Sequence, residues 1–178
     1  MTAKECITGR RSIRSFTDQP IDHDVLAGIV ETASYAPSWK NTQIVRYIAV
    51  EGDMKQKLSK CTSAYARNGE IMAQAPVVIA VTIVKGRCGY ERDGSFTTDR
   101  GDGWQMFDAG VATQTFCLAA HEQGIGSVIM GIFDREEAAR LLEIPDTMDL
   151  VALVPIGYPA EAPTAPKRKA VEDLLSYK

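Results

Sequence analysis

The sequence predicts an α+β fold built on a central sheet. Three observations predict it. PVVIAVTIV, residues 76–84, is a nearly continuous apolar run rich in β-branched residues, the pattern of a strand covered on both faces. LVALVPIGYP, residues 150–159, is a second run of the same kind. The helical patterns around them do not alternate with strands one for one, as a parallel βαβ sheet would require, so α+β is the class.

The elements follow in order. Asp22 is a good N-cap, and Val25, Leu26, Ile29, Val30 and Ala33 recur at helical spacing, so residues 22–35 are expected to form an amphipathic helix that Pro37 ends. IVRYIAV (44–50) reads as a strand, and Asp53 can cap a short helix running through Lys60. Pro76 opens the central strand, a position where a missing N–H is tolerated. Residues 85–103 break the pattern with five glycines among charged residues and read as a long surface loop or lid.

From Trp104 to about Gln123 the composition is helical and apolar almost all round. Phe107, Val111, Thr115 and Leu118 share one face, while Ala109, Ala112, Phe116 and Ala119 share another. Such a helix is buried on several sides, and in so small a domain a second subunit could supply part of that burial. A short strand begins at Ser127, and Asp134 caps a helix to Leu142 that Pro145 stops. The last strand is followed by prolines and a basic tail, PKRKAVEDLL, expected to end in a short helix.

Composition limits the function classes. At 178 residues, with 45% hydrophobic and 24% charged residues, the chain is expected to be one ordinary globular domain over 1–178. No apolar run approaches a bilayer span, and the start MTAKECITGR lacks the apolar core of a secretory leader, so the expected compartment is the cytoplasm, without membrane association. A pI near 5.4 argues against nucleic-acid binding, which needs a broad basic face. Cys6, Cys61, Cys88 and Cys117 have no CxxC spacing, and the only histidines are His23 and His121, so no metal site is expected. Nor is there a nucleophile elbow or a Walker motif. GIGSVIMG imitates a dinucleotide fingerprint, but its third glycine lies five residues after the second instead of three. Any redox or group-transfer chemistry therefore has to come from a cofactor.

Two stretches stand out. In GRRSIRSF (9–16), residues 1–14 carry four cations against the single anion Glu5, although the whole chain has a net charge of −3. If extended, the segment places Arg10, Ser12 and Arg14 on one side, a donor set suited to a phosphate monoester. A second basic group, Lys167, Arg168 and Lys169, lies at the other end and could converge on the same anion. In APSWKNTQ (36–43), Ser38, Asn41 and Gln43 offer donors and acceptors beside Trp39, the equipment of a loop that reads the edge of a heteroaromatic ring.

These segments, with DAGVATQTFCLAAHEQGIGSVIMG and the PKRKAVEDLL tail, closely resemble the FMN-dependent nitroreductase family, in register over nearly the whole chain. The resemblance implies an α/β sandwich with a mainly antiparallel central sheet flanked by helices, assembled as an intertwined homodimer with FMN at the interface. By position, Arg10, Arg11, Ser12, Arg14, Lys167 and Arg168 would hold the FMN phosphate and ribityl chain. Pro37, Ser38, Trp39, Asn41 and Gln43 would come from the partner subunit to line the isoalloxazine, with Trp39 narrowing the pocket or stacking on the substrate. Asn68 would face the pyrimidine edge. Ile129, Met130 and Gly131 would border the ring, with the Met130 amide donating to flavin N5. The activity implied is ping-pong hydride transfer from NADH or NADPH through FMN to a small-molecule oxidant such as a nitroaromatic or quinone. The same scaffold also admits a dehalogenase, a flavin-consuming enzyme or a non-catalytic flavin sensor or carrier.

Overall fold

The computed structural model describes residues 1–178, apart from the side chain of Ser63. Helices α1 (Ala3–Gly9), α2 (His23–Ala33), α3 (Gly52–Ser59), α4 (Ala66–Gln74), α5 (Gly103–Glu122) and α6 (Arg135–Leu141) surround strands β1 (Val45–Val50), β2 (Val77–Val84), β3 (Gly126–Ser127) and β4 (Met148–Gly157). The sheet order is β1-β2-β4-β3, and all neighbours are antiparallel. The predicted α+β class and antiparallel sheet are what the chain adopts.

β2 is the central strand because both of its faces are apolar, and side-chain alternation divides it between two cores. Val78 and Ala80 join the core roofed by Leu58, Ile71, Met72 and Ala138 of α3, α4 and α6. Val77, Ile79 and Val81 face the opposite core, formed with Leu26 and Ile29 of α2 and Phe116, Cys117 and Ala120 of α5. The β2/β4 register shifts at Val81/Thr82, where Val81 pairs with Ala152 but Thr82 with Leu150, so Val151 is extra. That bulge lets Leu150 and Ala152 serve opposite faces.

The helix expected over 22–35 is α2, N-capped by Asp22, and the one expected from Trp104 is α5. Three expectations differ from the fold, the first being that Asp53 caps the short helix through Lys60: α3 runs Gly52–Ser59 with Glu51 at its N-cap and no side-chain cap bond, so Asp53 lies inside the first turn. The short strand from Ser127 is only Gly126–Ser127, paired with β4 and bridged to Ser12, plus an isolated bridge between Met130 and Leu153. The tail helix is one 3₁₀ turn, Val171–Asp173, with Val171, Leu174 and Leu175 exposed. Residues 66–74 form a full helix, α4, with Asn68, Ile71 and Met72 buried. The N-terminus adds α1, started by a capping box in which Thr2 and Glu5 bond each other's backbone N–H.

Helix α5 divides as its sequence suggests. Ala109, Ala112, Phe116 and Ala119 are buried in this chain. Met106 and Phe107 stay exposed, at 48% and 62%.

Candidate functional site

The basic cradle is assembled by three segments. Helix α1 ends at Gly9, and the chain then runs extended beside β3: Ser12 bridges Ser127, and the Ile13 amide donates to the Ser127 carbonyl at 3.0 Å. Gly126 permits this approach, since a Cβ there would lie 2.6 Å from Ile13 Cγ1. After β4 the tail returns along residues 14–17. The Thr17 amide donates to Tyr158 O at 2.9 Å, the Ala160 amide to Ser15 O at 3.0 Å, and the Arg14 amide to Glu161 Oε1 at 2.6 Å. These contacts carry Arg168 onto the N-terminal cluster.

The result is a cavity of about 380 Å³ lined by Arg10, Arg11, Ser12, Arg14 and Arg168, with Pro163, Thr164 and Pro166 from the tail. No acidic side chain lines it. Arg11 is partly committed, because its Nη1 donates to the Thr8 and Arg10 carbonyls at 2.7 and 2.8 Å, satisfying the end of α1. Arg10 Nε is buried with no acceptor among the described residues. A buried donor without a partner is costly, and an anion would satisfy it. Lys167 does not line this cavity, although Arg168 does.

A neighbouring cavity of about 290 Å³ shares Arg10, Arg11 and Pro163 and adds His121, Ser127 and Glu161. Burial, then the positive charge of Arg10 and Arg11, holds the His121 pKa below its usual value. Cys61, Cys88 and Cys117 are buried, burial pushes each thiol up, and Cys88 beside Asp108 rises to about 12. Among the described residues no cluster of potential metal ligands occurs, and no helix is long and apolar enough to cross a membrane.

The 36–43 loop lies elsewhere. Pro37, Ser38 and Gln43 line a third cavity, about 310 Å³, with Ile44, Arg46, Tyr47, Asp108 and Ala112. It shares no lining residue with the cradle. Trp39 is not free to stack in an open pocket. Its ring packs on Trp104 at 4.8 Å between centroids, and its amide donates to both Asp108 carboxylate oxygens, at 2.9 and 3.2 Å. Asn41 is exposed and accepts from Gln43 Nε2 at 3.1 Å. The 85–103 loop is folded onto this wall: Lys40 Nζ meets Glu91 at 3.2 Å, Trp104 Nε1 donates to Thr98 Oγ1 at 2.9 Å, and Tyr90 packs on Phe96.

Asn68 is nearly buried, and its Nδ2 donates to the Ile132 carbonyl at 3.1 Å, tying α4 to residues 129–132. That segment requires a correction. The Met130 amide donates to Leu153 O at 2.8 Å, and the Leu153 amide returns to Met130 O at 3.0 Å, so the N–H assigned to flavin N5 is already used. Val128 likewise donates to Pro155 O. Pairing alternates along an antiparallel ladder, so the amides of Ile129 and Gly131 point away from β4, and neither has an acceptor among the described residues. Met130 is buried, whereas Ile129 and Gly131 are exposed.

Sequence reasoning missed Asp108, Arg46 and Glu161. Only Asp108 left a signal, as a carboxylate on an otherwise apolar stretch of helix.

Comparison with known proteins places this architecture. An Archaeoglobus fulgidus protein described as an NADH dehydrogenase/NAD(P)H nitroreductase is 32% identical over 165 residues, covering 89% of this chain and 87% of its own. The crystal structure of a nitroreductase family protein from Streptococcus pneumoniae superposes with a TM-score of 0.88 at 23% identity, over 99% of this chain and 100% of that one. A Desulfovibrio desulfuricans structure, described as a nitroreductase in complex with FMN, superposes at 0.78 with 28% identity, over 98% and 96%. The family model described as "Nitroreductase family" matches residues 7–158, and the chain belongs to the nitroreductase family.

Proposed function

We propose that this chain is an FMN-dependent NAD(P)H oxidoreductase that reduces planar acceptors such as nitroaromatics and quinones, working as a homodimer. The observation that carries the reading is the cradle: four arginines and a serine around one cavity without a lining carboxylate, and a buried Arg10 Nε without a partner. That donor set suits a phosphate dianion. The Archaeoglobus relative's name contributes the nicotinamide donor, and the Desulfovibrio neighbour contributes the flavin.

Arg10, Ser12, Arg14 and Arg168 would hold the phosphate, with Arg11 shared between it and the end of α1. Pro37, Ser38, Asn41 and Gln43 would face the ring from the partner subunit. Their separation from the cradle and the exposed Met106 and Phe107 on α5 support a site completed by a second chain. Bound FMN would supply two-electron acceptance from a nicotinamide and delivery to the acceptor. The protein's part is binding, orientation and a backbone donor near N5, for which Gly131 replaces Met130. No side-chain acid or base is needed.

The test is an absorbance spectrum of the purified protein with added FMN, followed anaerobically as NADH or NADPH is supplied to separate samples. A bound flavin that bleaches with either nucleotide supports the reading and identifies the donor. No binding of FMN overturns it. Binding without bleaching leaves a flavin sensor or carrier.

A further inference from the structure

Three of the six residues 38–43 adopt a backbone that ordinary side chains resist. Lys40, Asn41 and Gln43 have φ of 44°, 55° and 47°, none of them glycine. Each left-handed residue costs free energy, and such a run persists only where its surroundings over-determine it. Inside the loop, the Ser38 hydroxyl accepts from the Gln43 amide at 3.0 Å and the Trp39 carbonyl from the Thr42 amide at 2.8 Å.

The ends are held from outside the loop, by two charged residues lining one cavity. Asp108 on α5 takes the Trp39 amide with both carboxylate oxygens, at 2.9 and 3.2 Å, and is only 3% exposed. Arg46 on β1 gives Nη1 to the Gln43 carbonyl at 2.8 Å and to the Val45 carbonyl at 2.8 Å. Both line the 310 Å³ cavity with Pro37, Ser38 and Gln43. Asp108 and Arg46 form no ion pair with each other. Asp108 also lies beside the buried Cys88 thiol, and the second Arg46 bond goes to Val45 at the start of β1.

We infer that Asp108 and Arg46 are positioning residues that clamp the two ends of the 38–43 loop and thereby set the face this loop presents to the flavin ring. The inference rests on the proposed FMN site. Asp108 fixes the start of the left-handed run and keeps Trp39 against Trp104, out of the ring space. Arg46 fixes the end, where Gln43 leaves the loop for β1. Neither residue touches the cofactor cradle.

The test exploits the tryptophan content. Trp39 and Trp104 are the only tryptophans in the chain, and their rings are 4.8 Å apart, so intrinsic fluorescence reports on the clamped loop with no flavin present. Asp108→Ala, Asp108→Asn and Arg46→Gln are compared with the parent protein by tryptophan emission without FMN, FMN dissociation constant, the visible spectrum of bound flavin and thermal midpoint. The Asn variant keeps one acceptor for the Trp39 amide. Arg46 is exposed, so Arg46→Gln probes the other end without opening the core.

The expected result is red-shifted emission and an FMN dissociation constant raised about tenfold, the scale of one lost backbone anchor, in Asp108→Ala and Arg46→Gln. Asp108→Asn restores most of both, and the flavin spectrum shifts wherever affinity falls. Parental emission and FMN affinity in Arg46→Gln and in a folded Asp108→Ala overturn the inference. So does an affinity loss that tracks the thermal midpoint with no change in emission or flavin spectrum. If the parent protein itself binds no FMN, the cofactor reading fails, while the emission comparison still decides whether these residues hold the loop.

Discussion

Met130 and Leu153 exchange both backbone hydrogen bonds, at 2.8 and 3.0 Å, in a bridge that extends the sheet beyond β3. The bridge turns the Gly131 amide away from β4. If that amide is the donor to N5, Gly131→Pro removes it. Nothing lies within 4 Å of a Cβ at Gly131, so the site has space for a side chain. The flavin midpoint potential is expected to fall by about 20–30 mV, the equivalent of roughly 1 kcal/mol for a two-electron couple. Gly131→Ala, which keeps the amide and has room for its methyl group, should leave the potential where it is. Spectroelectrochemistry of both variants tests the Gly131 donor, and a Gly131→Pro variant with the parental potential overturns it.

Arg14→Ala and Arg168→Ala each remove one cradle guanidinium. FMN affinity should drop by about 1.5–3 kcal/mol per charged contact, roughly ten- to a hundredfold. Riboflavin, which lacks the phosphate, should bind both variants as it binds the parent. Equal losses for the two ligands would remove the phosphate from the cradle.

His121 couples the cradle to pH. Its folded pKa lies below the ordinary value of 6.5, through burial and the neighbouring Arg10 and Arg11. The unfolded chain therefore takes up the proton first as pH falls. Stability from this group is complete above about pH 6.5 and is lost as pH drops below it toward the folded pKa. A bound phosphate would offset the arginine field and raise the His121 pKa. Denaturation midpoints of the parent and His121→Gln at several pH values, with an NMR titration of His121 with and without FMN, test both statements.

Phe107 stands on the open side of α5 at 62% exposure, in edge contact with Trp104. Phe107→Glu should convert the proposed dimer to monomer, because it places a charge in an apolar contact, while leaving this chain's own core untouched. Light scattering across a concentration series reads the mass directly. A parent protein that is already monomeric at all concentrations would end the dimer proposal.

Phe116 fills the opposite side of α5 with no exposed surface, and stacks on Tyr47 at 5.1 Å. Phe116→Ala should cost about 3–5 kcal/mol of folding stability through lost burial and the cavity left behind. Urea denaturation at fixed protein concentration measures it.

Much of this was legible in residue order. Continuous β-branched runs located β2 and β4, and the Asp22 and Asp134 caps located α2 and α6. Alternation in Arg10-Arg11-Ser12-Ile13-Arg14 pointed to Arg10, Ser12 and Arg14 sharing one side, and all three line one cavity, because extended backbone alternates its side chains. Helix α1 was not read from the sequence, although Thr2 and Glu5 have capping-box spacing. Helix α4 was harder: ARNGEIMAQ is polar overall, with Ile71 and Met72 its only large apolar residues, and packing against α3 and the sheet holds it.

The sequence by itself determined the α+β class, the central strand, the double character of α5 and the clustering of cations at residues 10–14, because periodicity and charge spacing act over a few residues. Tertiary structure alone decided which groups meet and which are already spent. Arg168 reaches Arg10 because backbone bonds lay residues 158–160 along residues 15–17, while adjacent Lys167 does not line the cradle. Met130 loses its amide to Leu153, Trp39 gives its amide to Asp108, and Arg46 closes the loop's far end. The physical reason is that a hydrogen-bonding group's availability depends on partners distant in sequence, and local patterns carry no record of them.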